Sequence, residues 1–371
     1  MEPFVVQNVN VASPHMGEDW IYVGLDLGER IWMAGVLDLR DCQYHSRKFE
    51  SDQVWRDCVD WLAELGQHAG CRVHVLYEVG RQGFELAREL RGLGVNTDVL
   101  AVSRLYTGRK KKRGKSDRMD AKALTYMDWT VRGFPLVWVP SREQEGLRNL
   151  LMWEDTLARS ARQCRNRGLS IMARWGIVYG KRMSAKRYGA LIEGIGPGVI
   201  GEEDRLRLES LCREEMFVRE ELVKAEAAQV SRMESDLAVE KLTVWRGIGP
   251  KTARVLAWYV GDWQRFSNAG SFSAYCGLTP VHVRSGSSDF DKGVSRAGHR
   301  LLRGTLGQLT ILFLRWQPEC ELVKKAQERM TNGKAGKLAR TALARQLAAA
   351  LWRWMVRDEP IPGACRSIDQ D

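Results

Sequence analysis

Trp20-Ile21-Tyr22-Val23-Gly24-Leu25-Asp26 is a short apolar run, rich in β-branched and aromatic residues, that ends on a carboxylate. Its length and make-up predict a buried strand. Residues 31–38 and 43–49 follow at hairpin-like spacing and predict two further strands of an antiparallel meander. Residues 50–66 bring Val54, Trp55, Val59, Trp61 and Leu62 round at helical spacing. Residues 72–78 then return to the strand pattern, residues 83–93 read as a helix, and residues 95–102 as another strand. Three meander strands followed by alternating helix and strand specify an α/β domain with a mixed sheet. Ligand chemistry in such sheets gathers at strand ends, and Asp26 and Glu78 each close an apolar run.

A second pair of carboxylates lies in Ser116-Asp117-Arg118-Met119-Asp120-Ala121, where a helix is predicted over residues 117–129. Three residues apart, Asp117 and Asp120 share one face, and the first turn favours negative charge. Directly before them runs Arg109-Lys110-Lys111-Lys112-Arg113-Gly114-Lys115. Carboxylates that converge repel one another unless a divalent cation holds them, and Mg²⁺ or Mn²⁺ takes oxygen ligands. A dense positive loop beside such a cluster suits a polyanion. Taken singly, each residue has a plainer role: Ser116 or Asp117 caps the helix, Asp120 is a surface charge, Asp26 a turn residue. Gly24-Leu25-Asp26-Leu27-Gly28 also resembles the phosphate-binding turn of actin-like sugar kinases. Those enzymes need a second Gly-rich loop and an adenosine motif, and neither occurs downstream. The four together point to metal-dependent chemistry on a nucleic-acid backbone.

Composition agrees. The 371 residues suffice for two or three domains, and 44% apolar with 28% charged residues is ordinary for a globular chain. The net charge of +11 is unevenly spread: residues 101–190 hold 21 Lys/Arg against 7 Asp/Glu, so the rest is slightly acidic. That segment favours a polyanionic partner. Eight cysteines (Cys42, Cys58, Cys71, Cys164, Cys212, Cys276, Cys320, Cys365) form no C-x-x-C pair, which predicts reduced, packing thiols and no structural zinc. Residues 1–18 lack the basic and apolar segments of a signal peptide, and no apolar stretch approaches membrane-helix length. A cytoplasmic protein without membrane contact is expected.

The middle of the chain reads as a basic helical spacer. A helix opening at residues 140–142 carries Leu147, Leu150, Leu151, Trp153 and Leu157, with Arg159, Arg162, Arg165 and Arg167 on other faces. Residues 203–240 repeat the amphipathic pattern as one long, Glu-rich helix, which suits an antiparallel pair or an intermolecular coiled coil. Next, Gly247-Ile248-Gly249-Pro250-Lys251 joins two predicted helices. Such a turn exposes backbone N–H groups at a helix N-terminus, where a phosphate binds without sequence readout, as in a helix-hairpin-helix. The plain alternative is a tight interhelical turn. Gly194-Ile195-Gly196-Pro197-Gly198 has less helical context and is taken as a turn. Arg284-Ser285-Gly286-Ser287-Ser288, followed by Arg296, His299 and Arg300, reads as a polar loop able to present a hydroxyl nucleophile near cations.

The ordered set resembles the insertion-sequence-110 family of transposases. It comprises Gly24-x-Asp26, Tyr77-Glu78-Val-Gly-Arg-Gln-Gly-Phe84, Lys115-Ser-Asp117-Arg-Met-Asp120-Ala, Gly247-Ile-Gly-Pro, Ala274-Tyr-Cys-Gly-Leu-Thr-Pro280, Ser285-Gly and Ser295-Arg-Ala-Gly298-His-Arg. The resemblance runs from about residue 20 to 363, and residues 342–354 are similar to the terminal helix of that family. It implies a RuvC-like, ribonuclease-H-type domain over residues 19–139 after a tail at 1–18. A coiled-coil linker over 140–240 and a mainly helical transposase domain over 241–371 follow. It implies that Asp26, Glu78, Asp117 and Asp120 match an Asp-Glu-Asp-Asp set holding Mg²⁺ or Mn²⁺. Ser285 matches the serine that joins DNA covalently; relatives often carry Gln or Ser where Arg284 stands, and Ser287 and Ser288 offer neighbouring hydroxyls. It implies a structured bridge RNA that pairs with donor and target double-stranded DNA, and a homo-oligomer, dimer or tetramer, whose protomers complete one another's sites.

The expected activity is therefore site-specific recombination through a phosphoserine link. Arg109, Lys110, Lys111, Lys112, Arg113, Lys115, Arg162, Arg165, Gly247, Gly249 and Lys251 are expected to hold nucleic acid, with Arg284, Arg296, His299 and Arg300 beside the reacting phosphate. Two rivals differ in testable ways. A metal nuclease of the junction-resolving kind would use water and leave Ser285 idle, and a non-catalytic nucleic-acid-binding protein would carry structural carboxylates.

Overall fold

The computed structural model describes residues 20–68, 72–101, 117–130, 136–178, 185–196, 198–233, 236–285, 288–295, 298–330 and 335–367. The chain divides into two compact units. One comprises Met1–Ser141, Val244–Ile248 and Asp262–Asp371; the other comprises Arg142–Thr243 and Gly249–Gly261.

The first unit begins with a five-stranded sheet in the order β3-β2-β1-β4-β5. Its strands are β1 (Trp20–Leu27), β2 (Ile31–Asp38), β3 (Gln43–Glu50), β4 (Arg72–Glu78) and β5 (Asn96–Leu100). The meander strands pair antiparallel, and β1, β4 and β5 run parallel. This is the mixed sheet the sequence predicts. Alternation sorts β1 and β4 into two faces. Ile21, Val23, Leu25, Val73, Val75 and Tyr77 pack with residues of α1 (Val54–His68) and α2 (Glu85–Gly92) in one core. The opposite face, with Tyr22, Gly24 and Leu76, lies under α3 (Asp117–Thr130), where Leu124 joins Leu76 and Leu100.

The same unit continues with α9 (Ala269–Tyr275), a hairpin of β6 (Pro280–Ser285) and β7 (Ser288–Val294), and α10 (Arg300–Trp316). It ends with α11 (Glu321–Met330) and α12 (Ala335–Arg357). The predicted polar loop around Ser285 is thus corrected: residues up to Ser285 extend into a strand that finds an antiparallel partner in β7.

In the second unit, α4 (Arg142–Arg174) and α6 (Glu202–Met233) form an antiparallel pair. Gln229 near one end of α6 donates to the Leu150 carbonyl at 3.1 Å, and Arg174 meets Asp204 at 2.9 Å at the other end. The short α5 (Ala185–Glu193) wedges Tyr188 against Gly168, where any side chain would collide with the phenol. The single helix expected over residues 203–240 is broken. α6 stops at Met233, and α7 (Leu237–Thr243) starts afresh on Asp236, whose carboxylate accepts from the Ala238 and Val239 amides at 2.9 and 3.2 Å. The Trp258 indole of α8 (Pro250–Val260) donates to the other oxygen of Asp236 at 2.6 Å. That long-range bond favours the cap over a continuing helix. Among the described residues no helix is long and apolar enough to cross a membrane, and the seven described cysteines are free thiols.

Candidate active site

Parallel pairing sets the geometry of the first two carboxylates. Tyr22 pairs with His74, Gly24 with Leu76 and Leu25 with Tyr77, so Asp26 and Glu78 follow level with each other on adjacent strands. Level residues of a parallel pair share a face and sit about one strand spacing, ~4.8 Å, apart. Both are half-buried. The turns beyond them are tied together. The Gln82 amide donates to the Gly28 carbonyl at 3.0 Å, Trp32 donates to the same oxygen at 3.1 Å, and Tyr77 hydroxyl donates to the Gly83 carbonyl at 3.1 Å. Gly83 adopts φ +61°, which favours glycine. These bonds give the residues after Glu78 a physical role: they fix the strand end that carries the carboxylate.

α3 crosses this face antiparallel to β1 and β4. Asp128, near its last turn, accepts from His74 Nδ1 at 2.6 Å. About one turn earlier, the Thr125 hydroxyl accepts from the Gly24 amide at 3.1 Å and donates to the Ala121 carbonyl, a further turn back, at 2.9 Å. From the Tyr22–His74 level to the Gly24–Leu76 level the strands advance about 6.6 Å. About four and a half helical residues at ~1.5 Å each match that advance. The next equal step, to Asp26 and Glu78, reaches the first turn of α3, where Asp120 is half-buried and Asp117 exposed. The helix and the sheet thus bring all four carboxylates to the same end of the domain.

They are not closed into a cage. Among the described residues, no three His, Cys, Asp or Glu side chains stand close enough together to hold a metal ion. The chemistry of the donor set nonetheless fits Mg²⁺ or Mn²⁺: hard carboxylate oxygens, two of them on level strand ends. The basic run Arg109, Lys110, Lys111, Lys112, Arg113 and Lys115 lies outside the described residues, as does Arg296.

The other expected contacts are distributed differently. Arg162 on α4 is exposed, whereas Arg165 faces the buried Glu215 at 3.6 Å, together with Arg219 at 2.9 Å. Gly247 adopts φ +94°, and Gly249 is the extended N-cap of α8 with Pro250 in its first turn. This leaves backbone N–H groups of the first turn without helical partners. Lys251, however, is ion-paired with the buried Glu154 and lies 3.8 Å from Glu226, while Arg254 meets Glu154 at 3.2 Å.

In the first unit, Gly298 packs onto the backbone of residues 275–277. A Cβ there would lie 2.5 Å from the Tyr275 carbonyl oxygen. Two of the motifs, Ala274–Pro280 by sequence and Ser295–Arg300, therefore meet at the base of the hairpin. Ser295 donates its amide to the Thr279 carbonyl at 2.9 Å, and His299 caps α10, its Nδ1 accepting from the Leu301 amide at 3.3 Å. Arg300 is exposed in the first turn of α10. Ser285 closes β6 opposite Ser288, with Arg284 opposite Asp289 in register. Five residues of strand, roughly 16 Å, separate Ser285 from the hairpin base beside His299.

The sequence reading missed one charged cluster. His74 is buried between Asp128 and Asp98, whose oxygen lies 3.3 Å from Nε2. Burial alone would push the imidazole down, but the bonds to Asp128 and Asp98 carry it up to about 9. Burial lifts the Asp128 carboxyl even as His74 draws it down, and Asp98, despite its own burial, is held low by His74 and Arg91. We assign the proton to His74, an imidazolium between two carboxylates. His74, Arg91 and Asp98 also line an open cavity of about 360 Å³.

Comparison with known proteins adds a second line. Residues 239–324 match the family described as Transposase IS116/IS110/IS902 family. The chain is 29% identical to a putative transposase y4rJ of Sinorhizobium fredii, over 93% of this chain and 94% of that protein. It is 25% identical to the transposase for insertion sequence element IS1111A of Coxiella burnetii, over 76% and 75% of the two chains. An insertion element IS110 uncharacterized 43.6 kDa protein of Streptomyces coelicolor is 32% identical over 32% of this chain and 28% of its own.

Proposed function

We propose that this chain, whose residues 239–324 match the Transposase IS116/IS110/IS902 family and which is similar along most of its length to insertion-sequence transposases, is a DNA transposase that recombines DNA by transesterification through Ser285. The single observation that carries the site is the parallel register of β1 and β4, which runs to Leu25 opposite Tyr77 and so ends one residue before Asp26 and Glu78. That register supports a RuvC-like domain over residues 19–139; in the same reading a helical spacer occupies 140–240 and a transposase domain 241–371. Asp26, Glu78, Asp117 and Asp120 would hold Mg²⁺ or Mn²⁺, which when bound supplies positive charge beside the scissile phosphate.

The remaining chemistry belongs to the chain. Ser285 Oγ attacks a backbone phosphorus; the Oγ–P bond forms as the bond from phosphorus to a deoxyribose oxygen breaks. The hydroxyl proton passes through solvent to the departing oxygen. The phosphodiester is conserved as a protein–DNA ester, so rejoining needs no nucleotide cofactor. Arg284, Arg296, His299 and Arg300 offer cationic or donor groups for the negative charge on the phosphoryl and departing oxygens, His299 and Arg300 from the hairpin base. The basic run 109–115 and Arg162 of α4 bind the backbone of double-stranded DNA and of a structured bridge RNA, and the hairpin turn at Gly247 and Gly249 binds a phosphate through its amides. Two or more protomers act together in the cytoplasm, one completing the serine site of another.

The test is an adduct assay. Purified protein is incubated with element-end DNA and Mg²⁺, denatured, and resolved for DNA that migrates with protein. An adduct present in wild type, absent in Ser285→Ala and retained in Ser287→Ala and Ser288→Ala supports the proposal. Free DNA ends formed equally well by Ser285→Ala would assign the chemistry to water and overturn it.

A further inference from the structure

We propose that Trp316, flanked by Arg246 and Arg315, is a binding platform for single-stranded DNA, on which one unpaired base stacks while the two guanidinium groups neutralise the adjoining phosphates. The choice of ligand rests on the DNA-transposase reading above; the site itself rests on the geometry of α10 and the Gly247 turn.

Trp316 ends α10 and is 39% exposed, although a tryptophan leaves water readily. The Arg246 guanidinium stands 5.2 Å from its ring centroid and that of Arg315 4.9 Å. Both distances fall within cation–π range. Trp316 is the one exposed tryptophan, among the described residues, that draws two cations. Trp175, by contrast, gives its indole N–H to Asp204 at 2.8 Å.

Neither arginine meets a carboxylate among the described residues. The two like charges sit at most about 10 Å apart, near one Debye length at 0.1 M salt. The ring holds both guanidinium groups by cation–π attraction, and the positive charge they leave unneutralised there is available to an arriving anion. Arg315 alone would be explained by the negative end of α10. Arg246 would not, because it comes from a distant turn.

That turn is rigidly held. Gln317 is fully buried and donates to the carbonyls of Arg246 and Cys365 at 2.8 Å each, while accepting from the Cys365 amide at 2.8 Å. The Arg246 amide donates in turn to the Cys365 carbonyl at 3.2 Å. Gly247, at φ +94°, lies against the Leu312 backbone. A fully satisfied buried amide thus fixes the main chain from which Arg246 reaches the indole, which is preorganisation rather than a chance surface contact. An indole with two guanidinium groups over its ring forms a planar stack that a base flanked by phosphates can join: every base offers a π face, and arginine both stacks and pairs with phosphate. Nothing in the cluster distinguishes one base from another, so binding is sequence-tolerant. It also prefers unpaired strands, because a base within a duplex has no free face.

The experiment uses the full chain in EDTA, so that no strand chemistry intervenes, with a fluorescein-labelled mixed-sequence DNA oligonucleotide read by anisotropy. Trp316→Ala is expected to weaken single-strand binding roughly tenfold, the size of one lost base stack. Trp316→Tyr should recover most of that loss, and Trp316→Leu, which keeps the apolar bulk, should not. Arg246→Gln and Arg315→Gln should each lower the slope of log affinity against log salt by about 0.7. Lys325→Gln, on α11, should change nothing.

Equal affinities for wild type and Trp316→Ala overturn the proposal, as does a loss felt equally by duplex DNA, or one confined to RNA. The outcome is separable from the Ser285 assay. A protein that forms no serine adduct yet loses strand binding in Trp316→Ala keeps the platform and loses the mechanism. A protein that forms the adduct while ignoring Trp316 does the reverse.

Discussion

Gly24 lies directly against Thr125: its amide donates to the threonine hydroxyl at 3.1 Å, and a Cβ on Gly24 would come within 2.6 Å of the Ala121 carbonyl oxygen. The neighbours are helix backbone and cannot swing aside. Gly24→Ala is therefore expected to lift α3 from the sheet, at a cost of about 1–3 kcal/mol, and to reduce DNA strand cleavage at least tenfold. Gly92→Ala, where a Cβ meets nothing within 4 Å, should leave both within error. Urea titration and a cleavage assay on the two variants make the comparison.

The carboxylates at the strand ends should be dispensable for folding and required for activity. Asp26→Asn and Glu78→Gln remove like charge from one another's neighbourhood, so the melting temperature should hold or rise slightly. Strand cleavage should fall at least a hundredfold. Wild type should gain thermal stability on titration with Mn²⁺, by mass action on the folded state, and each variant should gain less. A Mn²⁺ response in Asp26→Asn equal to that of wild type would remove this residue from the metal set.

His74 predicts a pH dependence with a definite sign. A histidine raised from 6.5 to about 9 contributes stability that is fully present below about pH 6.5 and lost as pH climbs through about 9. The amount is on the order of a few kcal/mol. Wild type should therefore lose stability between pH 6.5 and 9.5. His74→Gln should be less stable at pH 6.5 and nearly flat across that window. Tyr22, which faces the same ring, is itself raised by burial and the nearby Asp128, so it adds no slope there.

Glu154 and Lys251 should respond unequally although they are paired. Glu154 is 4% exposed and also holds the buried Arg254, so Glu154→Ala leaves a buried cation unpaired and should cost about 3–5 kcal/mol. Lys251 is largely exposed, and Lys251→Ala should cost under about 1 kcal/mol. Because its charge is already engaged, Lys251→Ala should also leave the salt slope of DNA binding almost unchanged. Denaturant midpoints and anisotropy at three salt concentrations test both statements.

Much of the sheet was legible because burial writes itself into short-range pattern. The strands ending at Asp26 and Glu78 and the helix beginning at Asp117 stand where periodicity puts them. The features that were not legible depend on partners far along the chain. Asp236 looks like one more acidic residue in a helix until the Trp258 indole, 22 residues on, holds it as a cap. The His74 cluster draws on Asp98 and Asp128, 24 and 54 residues away. The β6–β7 hairpin did leave a signal that went unread: Val281, Val283 and Phe290 alternate with polar residues about the intervening Gly286-Ser287, a pair suited to a two-residue turn.

Beyond α12 the chain returns to pair Arg366 with Trp245, and the Ser367 amide donates to the Val244 carbonyl at 2.7 Å. Residues 366–367 therefore act as a clasp on a segment more than a hundred positions upstream. A bulky label inserted between α12 and Arg366 would strain that clasp, so labels for imaging or purification belong elsewhere in the chain.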